Sequence, residues 1–499
     1  MITSSELQNL LSYKGFLWYL FLMVVSSIAI ISTIAYPFAS FVFFLFLTIF
    51  VLIYFKPMIG IYLLTLLYPI ESVFIKLNLS WPDYIGIYWY EVLNIILLIV
   101  MILRYLVKYH SLDGDFPIAK TYSGRWILFF SIAFVIWSIS TVFWSDYLDR
   151  TLFSWFKFNC LFIYMSFIVI YLDSYEKFVR LMAFYCCVSA ILAIVAIYAT
   201  YHAFLVNYAL LVTSHLSLWV QVSLFNGPGT VDTSLIGMRT GTGLSSKHEL
   251  AMSLLGGVVF ALFLMKHYKS IWIRYTLLLL ILLLETVTYL AFAKLSIVGS
   301  LVVLVFISLV FPWRKSIAII LACFILLNVT AFSFSHILKP SHMKNRESTG
   351  IRIKMESGGS EYEANSFSFR KRYWRRAIEI IQESHGMGNG PDSSSWNISI
   401  LPHAHNMILT MTVEYGVPGM LFILAALFII AKGSYYQVFK IFQVNNNMWL
   451  LKLACVITTA LALFANSFDV PIWWPQLWYM VGLLWASLRL EPQTMKRRI

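Results

Sequence analysis

The stretch HAHNMILTMTVEYGVPGMLFILAALFIIA, residues 403–431, has a polar, ionisable start and becomes wholly apolar from Met420 to Ala431. Two histidines, Asn406 and Glu414 stand in its polar part. Ionisable groups at the boundary between a bilayer and water are costly to bury, so their presence there indicates a functional site. The stretch therefore predicts a helix that enters a membrane beside such a site.

The composition of the whole chain is that of a membrane protein. Hydrophobic residues make up 60% and charged residues 12% of the 499 residues, whereas soluble domains carry about 25% charged residues. Repeated apolar runs, each able to cross ~30 Å of hydrocarbon, predict an all-α polytopic membrane protein with about 12–14 transmembrane helices. These runs are 15–35, 37–55, 58–77, 85–107, 126–144, 154–172, 180–206, 249–265, 275–293, 295–313, 316–334, 405–431, 449–466 and 470–488.

The charge and the cysteines exclude several other classes of protein. The net charge of +13 does not indicate a nucleic-acid partner, because much of the excess lies in short loops where it sets topology. All five cysteines fall inside apolar runs, and their spacing supports neither a disulfide framework nor a zinc site.

The distribution of lysine and arginine predicts that both termini lie on the inner side of the membrane. Two long loops then fall on the outer side, and the second is basic, which long translocated loops tolerate. We expect five segments: an N-terminal transmembrane scaffold (1–206), a first outer loop (207–248), central transmembrane helices (249–334), a large outer loop with an amphipathic helix (335–404) and C-terminal transmembrane helices (405–499).

Four separated pieces of sequence are expected to meet at the outer face. They are Arg239 to Glu249, Lys294, the basic run Arg370 to Ala377 with the glycine-rich turn 386–390, and the His405-Asn406 junction. Cations and glycine-rich backbone near helix N-termini suit a phosphate or pyrophosphate group. A histidine beside them is a suitable proton acceptor near neutral pH.

Each piece also has a simpler interpretation. Lys294 suits a snorkelling side chain at a tight hairpin, and the basic run suits a helix lying on anionic lipid headgroups. Glycine pairs are common in turns. His403 and His405 hint at a metal, but no third ligand stands at a sensible spacing, so we expect neither a metal nor another cofactor.

Taken together, the motifs resemble the O-antigen ligase and O-antigen/exopolysaccharide polymerase (Wzy/WaaL-like) superfamily over residues 239–431. His405-Asn406 followed by Gly416 and Gly419 fits the family pattern H-N-x9-G-x-x-G. The loop pattern R-x3-W-x2-A…G-x-G and an upstream R…G…(H)KN segment are matched by Arg370-x3-Trp374-x2-Ala377 with Gly386-x-Gly388-x-Gly390, and by Arg239…Gly243…Lys247-His248. Departures from the family are His248 for asparagine, Ala293 for serine, Lys294 where ligases more often carry arginine, and Ser384-His385 for a proline.

The resemblance implies a GT-C-like membrane glycosyltransferase of the bacterial inner membrane, with two long periplasmic loops and its active site facing the periplasm. It implies that His405 is the general base and that Arg239 and Lys294 bind the diphosphate of an undecaprenyl-diphosphate-linked glycan. The full predicted substrate-binding set is Arg239, Lys247, Lys294, Arg370, Arg375, Arg376, His403, Asn406 and Glu414. Family members are inverting and metal-independent.

Three functions remain open on the sequence. The first is a polysaccharide polymerase that joins repeat units, which the lysines at 247 and 294 favour. The second is a ligase that transfers finished glycan to lipid A-core, another lipid or a protein. A transporter or flippase for lipid-linked glycan ranks lower, because such proteins place polar groups near the midplane on broken helices. The expected partners are the lipid-linked oligosaccharide, an acceptor glycan or lipid and the membrane, with a chain-length regulator protein left open.

Overall fold

The computed structural model describes residues 37–67, 89–109, 122–146, 148–212, 247–290, 303, 307, 366–393, 406–441, 446–468 and 475–490. Every regular element in these ranges is a helix. The helices are α1 Pro37–Phe55, α2 Pro57–Leu67, α3 Trp89–Tyr109, α4 Tyr122–Ser140, α5 Leu148–Tyr171, α6 Tyr175–Val212, α7 Lys247–His267, α8 Ile271–Leu290, α9 Ser366–Glu383, α10 Met407–Ile441, α11 Asn446–Phe468 and α12 Pro475–Leu488, with a 3-10 turn Thr141–Trp144 after α4.

The predicted class, an all-α polytopic membrane protein, is confirmed. Within the described ranges, 7 helices are long and apolar enough to cross a membrane. A single apolar segment can satisfy its own backbone hydrogen bonds in hydrocarbon only as a helix, so apolar runs of this length become helices. The runs 15–35, 295–313 and 316–334 lie wholly or almost wholly outside the described residues, and the total of about 12–14 spans stays a prediction.

The centre of the bundle is built around α7. It packs against α6, α8 and α11, and the side chains of its span are almost all buried. Three buried tyrosines extend this core between α5, α6 and α12: Tyr164 and Tyr185 each lie beside the ring of Tyr479. The Tyr479 hydroxyl in turn lies 2.8 Å from Thr65 Oγ1 of α2. Aromatic packing and one buried hydrogen bond therefore tie the scaffold helices to the C-terminal helices.

Two lysine side chains also make polar contacts between helices of the bundle. Lys157 Nζ of α5 lies 3.3 Å from Glu91 Oε1 of α3, and Glu91 is 1% exposed. Buried Lys452 of α11 donates to Gln437 Oε1 of α10 and to the carbonyl of Leu490, 3.1 Å away, just after α12. Charged groups survive inside a membrane protein only when they are paired or hydrogen-bonded, so each contact fixes the helices it joins.

Candidate functional site: the broken helix and the glycine loop

Helix α10 is longer than a membrane and is broken near its start. Its 35 residues would span about 52 Å if straight, whereas the hydrocarbon core measures ~30 Å. Gly416 has φ 70° and ψ 178°, and Pro418 follows inside the helix. Residues 407–415 therefore form a separate helical segment, which we call the α10 head.

The break changes the hydrogen bonds of the helix backbone. Pro418 has no N–H to donate to the carbonyl of Glu414. The N–H of Val417 donates to the carbonyl of Gly386, 2.8 Å away, which lies in a different part of the chain. Buried carbonyls left by such a break need new donors.

The new donors come from residues 386–390, which we call the glycine loop, and from α4. Three carbonyls of the α10 head are satisfied in this way: Asn389 N–H donates to Val413 O at 2.9 Å, Gly390 N–H donates to Glu414 O at 2.9 Å, and Trp137 Nε1 donates to Tyr415 O at 2.6 Å. The sequence could place a turn at the glycine loop but could not show that its backbone completes a broken helix.

Two glycines make this contact sterically possible. Gly388 has φ 81° and Gly416 has φ 70°, both in the region that favours glycine. A Cβ at Gly388 would lie 2.7 Å from Glu414 O, and a Cβ at Gly416 would lie 2.5 Å from Met387 O. Conformation and space therefore both require glycine at these two positions.

Two tryptophans hold the same junction from the side of α4. Trp144 Nε1 donates to Gly388 O at 2.8 Å, beside the bond from Trp137 to Tyr415 O. Their rings meet edge to face with centroids 6.1 Å apart. Sequence reasoning missed both residues, because tryptophans at the end of an apolar run are ordinary membrane-interface residues.

Helix α9 lies in the stretch 335–404, for which the sequence predicted an amphipathic helix. Its apolar face packs on the α10 head: Tyr373, Ala377 and Ile380 are buried together with Val413. Trp374 and Leu409 pack at the edge of this cluster. The apolar face contacts protein, so the simpler interpretation of a helix lying on lipid headgroups does not account for that face.

The basic residues of α9 differ in their surroundings. Arg376 donates to Glu379 at 3.3 Å and to Glu383 at 3.0 Å. These hydrogen bonds, first that to Glu379 and then that to Glu383, raise the pKa of the Arg376 guanidinium. Arg375 is exposed and Arg370 is half-buried. The positive charge of Arg376 is thus offset within α9.

Asn406 has a local structural role at the start of α10. Its Oδ1 accepts the N–H of Leu409 at 3.1 Å, and its carbonyl accepts the N–H of Thr410 at 2.9 Å. This is the geometry of a helix N-cap. Glu414 is fully buried, and a side chain at Gly388 would collide with its carbonyl.

Part of the predicted site can be located in the structure. The glycine loop, Asn406 and Glu414 lie in or against the α10 head, and helix α9, which carries the arginines, packs on it, although these pieces stand apart in sequence. Arg239, Lys294, His403 and His405 lie outside the described residues, and Lys247 is the first residue of α7. The sequence analysis also missed the ion pair between Lys157 and Glu91. A lysine inside the apolar run 154–172 was the signal that could have indicated a buried ion pair.

The comparison with known families concerns this same region. Residues 275–424 match a family model described as Wzy_C, O-antigen ligase, and the match spans α8, α9, the glycine loop and the break in α10. No curated protein sequence matches the chain. The match supports the resemblance of residues 239–431 to the O-antigen ligase and Wzy-like superfamily.

Proposed function

We propose that the protein is a polysaccharide polymerase of the bacterial inner membrane. It transfers a glycan from undecaprenyl diphosphate to a sugar hydroxyl of an acceptor at the periplasmic face. The observation that carries the proposal is the packing of α9 on the α10 head, which holds a basic helix beside the start of α10. In sequence, His405 directly precedes the cap residue Asn406 at that start.

The proposed reaction is a single displacement. His405 removes the proton of the acceptor hydroxyl, and the oxygen attacks the anomeric carbon of the donor sugar. The bond from that carbon to the diphosphate oxygen breaks, and the diphosphate leaves with the electron pair. General base catalysis of this kind typically contributes about 10²–10⁴-fold.

The leaving diphosphate needs positive charge. We assign Arg239 and Lys294 to it, with Lys247, Arg370 and Arg375 lining the approach. Positioned cations at the point where charge develops are often the largest single catalytic contribution. Arg376, already paired with two glutamates, acts in this scheme by fixing α9. His403, Asn406 and Glu414 position His405 and the α10 head.

A ligase is the second candidate, because residues 275–424 match the O-antigen ligase family. A ligase uses the same donor and the same chemistry and differs in its acceptor, which would be lipid A-core, another lipid or a protein. The lysines at 247 and 294 favour the polymerase. A chain-length regulator is a proposed partner of the polymerase alone.

The test is His405→Ala in the native host, with His342→Ala, a histidine of the second long loop outside the quoted motifs, as the control. Surface glycan is resolved on a gel, and the amount of each variant in the membrane is measured alongside. Single lipid-linked units without long chains in His405→Ala, and long chains in His342→Ala, support the polymerase. Long chains that accumulate on the carrier support the ligase. Unchanged glycan in His405→Ala would refute the role of His405 and favour a transporter or flippase for lipid-linked glycan.

A further inference from the structure

The ring of Trp144 is held in one orientation at the edge of the candidate site. Trp144 ends the 3-10 turn Thr141–Trp144 that follows α4. Its indole N–H donates to Gly388 O at 2.8 Å, and its ring packs edge to face with the ring of Trp137. The ring therefore needs little further ordering to bind a ligand.

The exposed part of Trp144 differs from that of an ordinary membrane-interface anchor. Interface tryptophans place the ring in the apolar region and direct the polar N–H toward headgroups and water. The N–H of Trp144 is used inside the protein by Gly388 O, yet 43% of the residue is exposed. The surface that Trp144 offers to a partner is thus its aromatic ring.

The position of Trp144 connects this ring to the candidate site. Gly388, its hydrogen-bond partner, lies directly against Gly416 of the α10 break. On the other side of the glycine loop, Gly390 lies close enough to Ser145 that a Cβ there would be 3.0 Å from Ser145 Cβ. Trp144 therefore places a partly exposed ring beside the buried junction of the glycine loop and the α10 head.

We propose that Trp144 is a stacking subsite for a pyranose ring of the glycan substrate. The C–H bonds on one face of a pyranose carry partial positive charge, and they pack favourably on the negative face of an aromatic ring. The inference rests on the proposed function, because it takes the ligand of the candidate site to be a glycan. It assigns to this chain a binding residue outside the motifs that carry the family resemblance.

The experiment uses the full-length protein in nanodiscs and a soluble probe, the repeat-unit oligosaccharide released from the surface glycan of the native host. Binding is measured by saturation-transfer NMR, with a polyethylene glycol of similar mass as a non-sugar control. Three variants are compared: Trp144→Leu, Trp144→Phe and Phe143→Leu. Phe143 is the matched control, because it is the neighbouring aromatic residue and is 82% exposed.

We expect Trp144→Leu to weaken oligosaccharide binding about three- to ten-fold. Trp144→Phe, which loses the N–H but keeps an aromatic face, should stay within about two-fold of the wild type, and Phe143→Leu should bind normally. An equal loss in Trp144→Phe and Trp144→Leu would assign the effect to the bond with Gly388 O and overturn the proposal. Wild-type binding by Trp144→Leu, or an equal loss of binding in Trp144→Leu and Phe143→Leu, would also overturn it.

The binding assay also separates this inference from the proposed transfer reaction. If the wild type binds the oligosaccharide through Trp144 but His405→Ala leaves surface glycan unchanged, the proposed catalytic role fails and the glycan subsite stands. If His405→Ala abolishes transfer while Trp144→Leu binds and transfers normally, the subsite alone fails.

Discussion

Gly388 in the loop after α9 and Gly416 in α10 lie in direct backbone contact, and neither has room for a side chain. The contact joins a loop to the break of a helix that crosses the membrane. Because Pro418 and the turn at Gly416 remove helical hydrogen bonds, the glycine loop supplies backbone donors that the helix itself lacks. The two glycine motifs of the sequence thus form one structural unit.

Alanine at either glycine should weaken this unit strongly. A residue with a Cβ in the left-handed region costs about 1–2 kcal/mol, and the collision with backbone atoms adds to that cost. We expect Gly388→Ala and Gly416→Ala to lower the thermal unfolding temperature of the purified protein, followed by tryptophan fluorescence. Gly433→Ala is the control in the same helix, because a Cβ there lies 3.5 Å from Leu488 Cδ1. Equal stability of Gly388→Ala and Gly433→Ala would contradict the steric argument.

Substitutions of Arg375 and Arg376 in α9 should differ in their effect on the apparent KM for donor. Arg375→Gln is expected to raise the apparent KM for lipid-linked donor in an in vitro transfer assay, because it removes an exposed cation. Arg376→Gln removes a guanidinium whose charge is already offset by Glu379 and Glu383, so a smaller change is expected. The pKa of the Arg376 guanidinium is raised. The stability that its positive charge contributes is therefore lost only when the pH rises through that pKa, in strong alkali. Arg376 should therefore add no pH dependence near neutrality.

If His405 is a general base, transfer must depend on its neutral form. Only the deprotonated imidazole accepts the proton of the acceptor hydroxyl. We expect kcat/KM to fall about ten-fold per pH unit on the acid side of its profile, where the imidazole becomes protonated. The pH profile of the wild type is compared with that of Asn406→Asp, a variant that keeps a capping oxygen at the start of α10. A rate that stays flat down to pH 5 would remove His405 from proton transfer.

The Lys157–Glu91 pair should behave as a unit. Removing one partner of a buried ion pair typically costs about 3–5 kcal/mol, while replacing both can be nearly neutral. Lys157 is 23% exposed at its side chain and Glu91 is 1% exposed, so we expect the larger loss for Lys157→Met, which strands the more buried charge. A double-mutant cycle with Glu91→Gln, read as thermal stability in detergent, measures the coupling. Additive losses would show that the two side chains do not stabilise each other.

Parts of the candidate site were predictable from short sequence patterns, but the structural roles of the residues were not. The basic run Arg370 to Ala377 and the glycine turn could be recognised because periodicity and glycine content are local signals. Asn406 was predicted to bind substrate, whereas its side chain also caps α10. The pairing of Arg376 with Glu379 and Glu383 follows helical spacing and could have been anticipated. The indole bonds of Trp137 and Trp144 could not, because their partners lie more than two hundred residues away.

The sequence by itself determined the class of the protein, because apolar runs that cross hydrocarbon have helices as their natural solution. It also predicted that polar and basic groups gather at the start of one helix. Tertiary structure decided how that helix begins. Backbone groups freed by Gly416 and Pro418 must find partners in a buried setting, and the partners are set by how α4, α9 and the glycine loop pack. Hydrogen bonds between residues far apart in the chain produce no periodic pattern in the sequence, so only the folded structure reveals them.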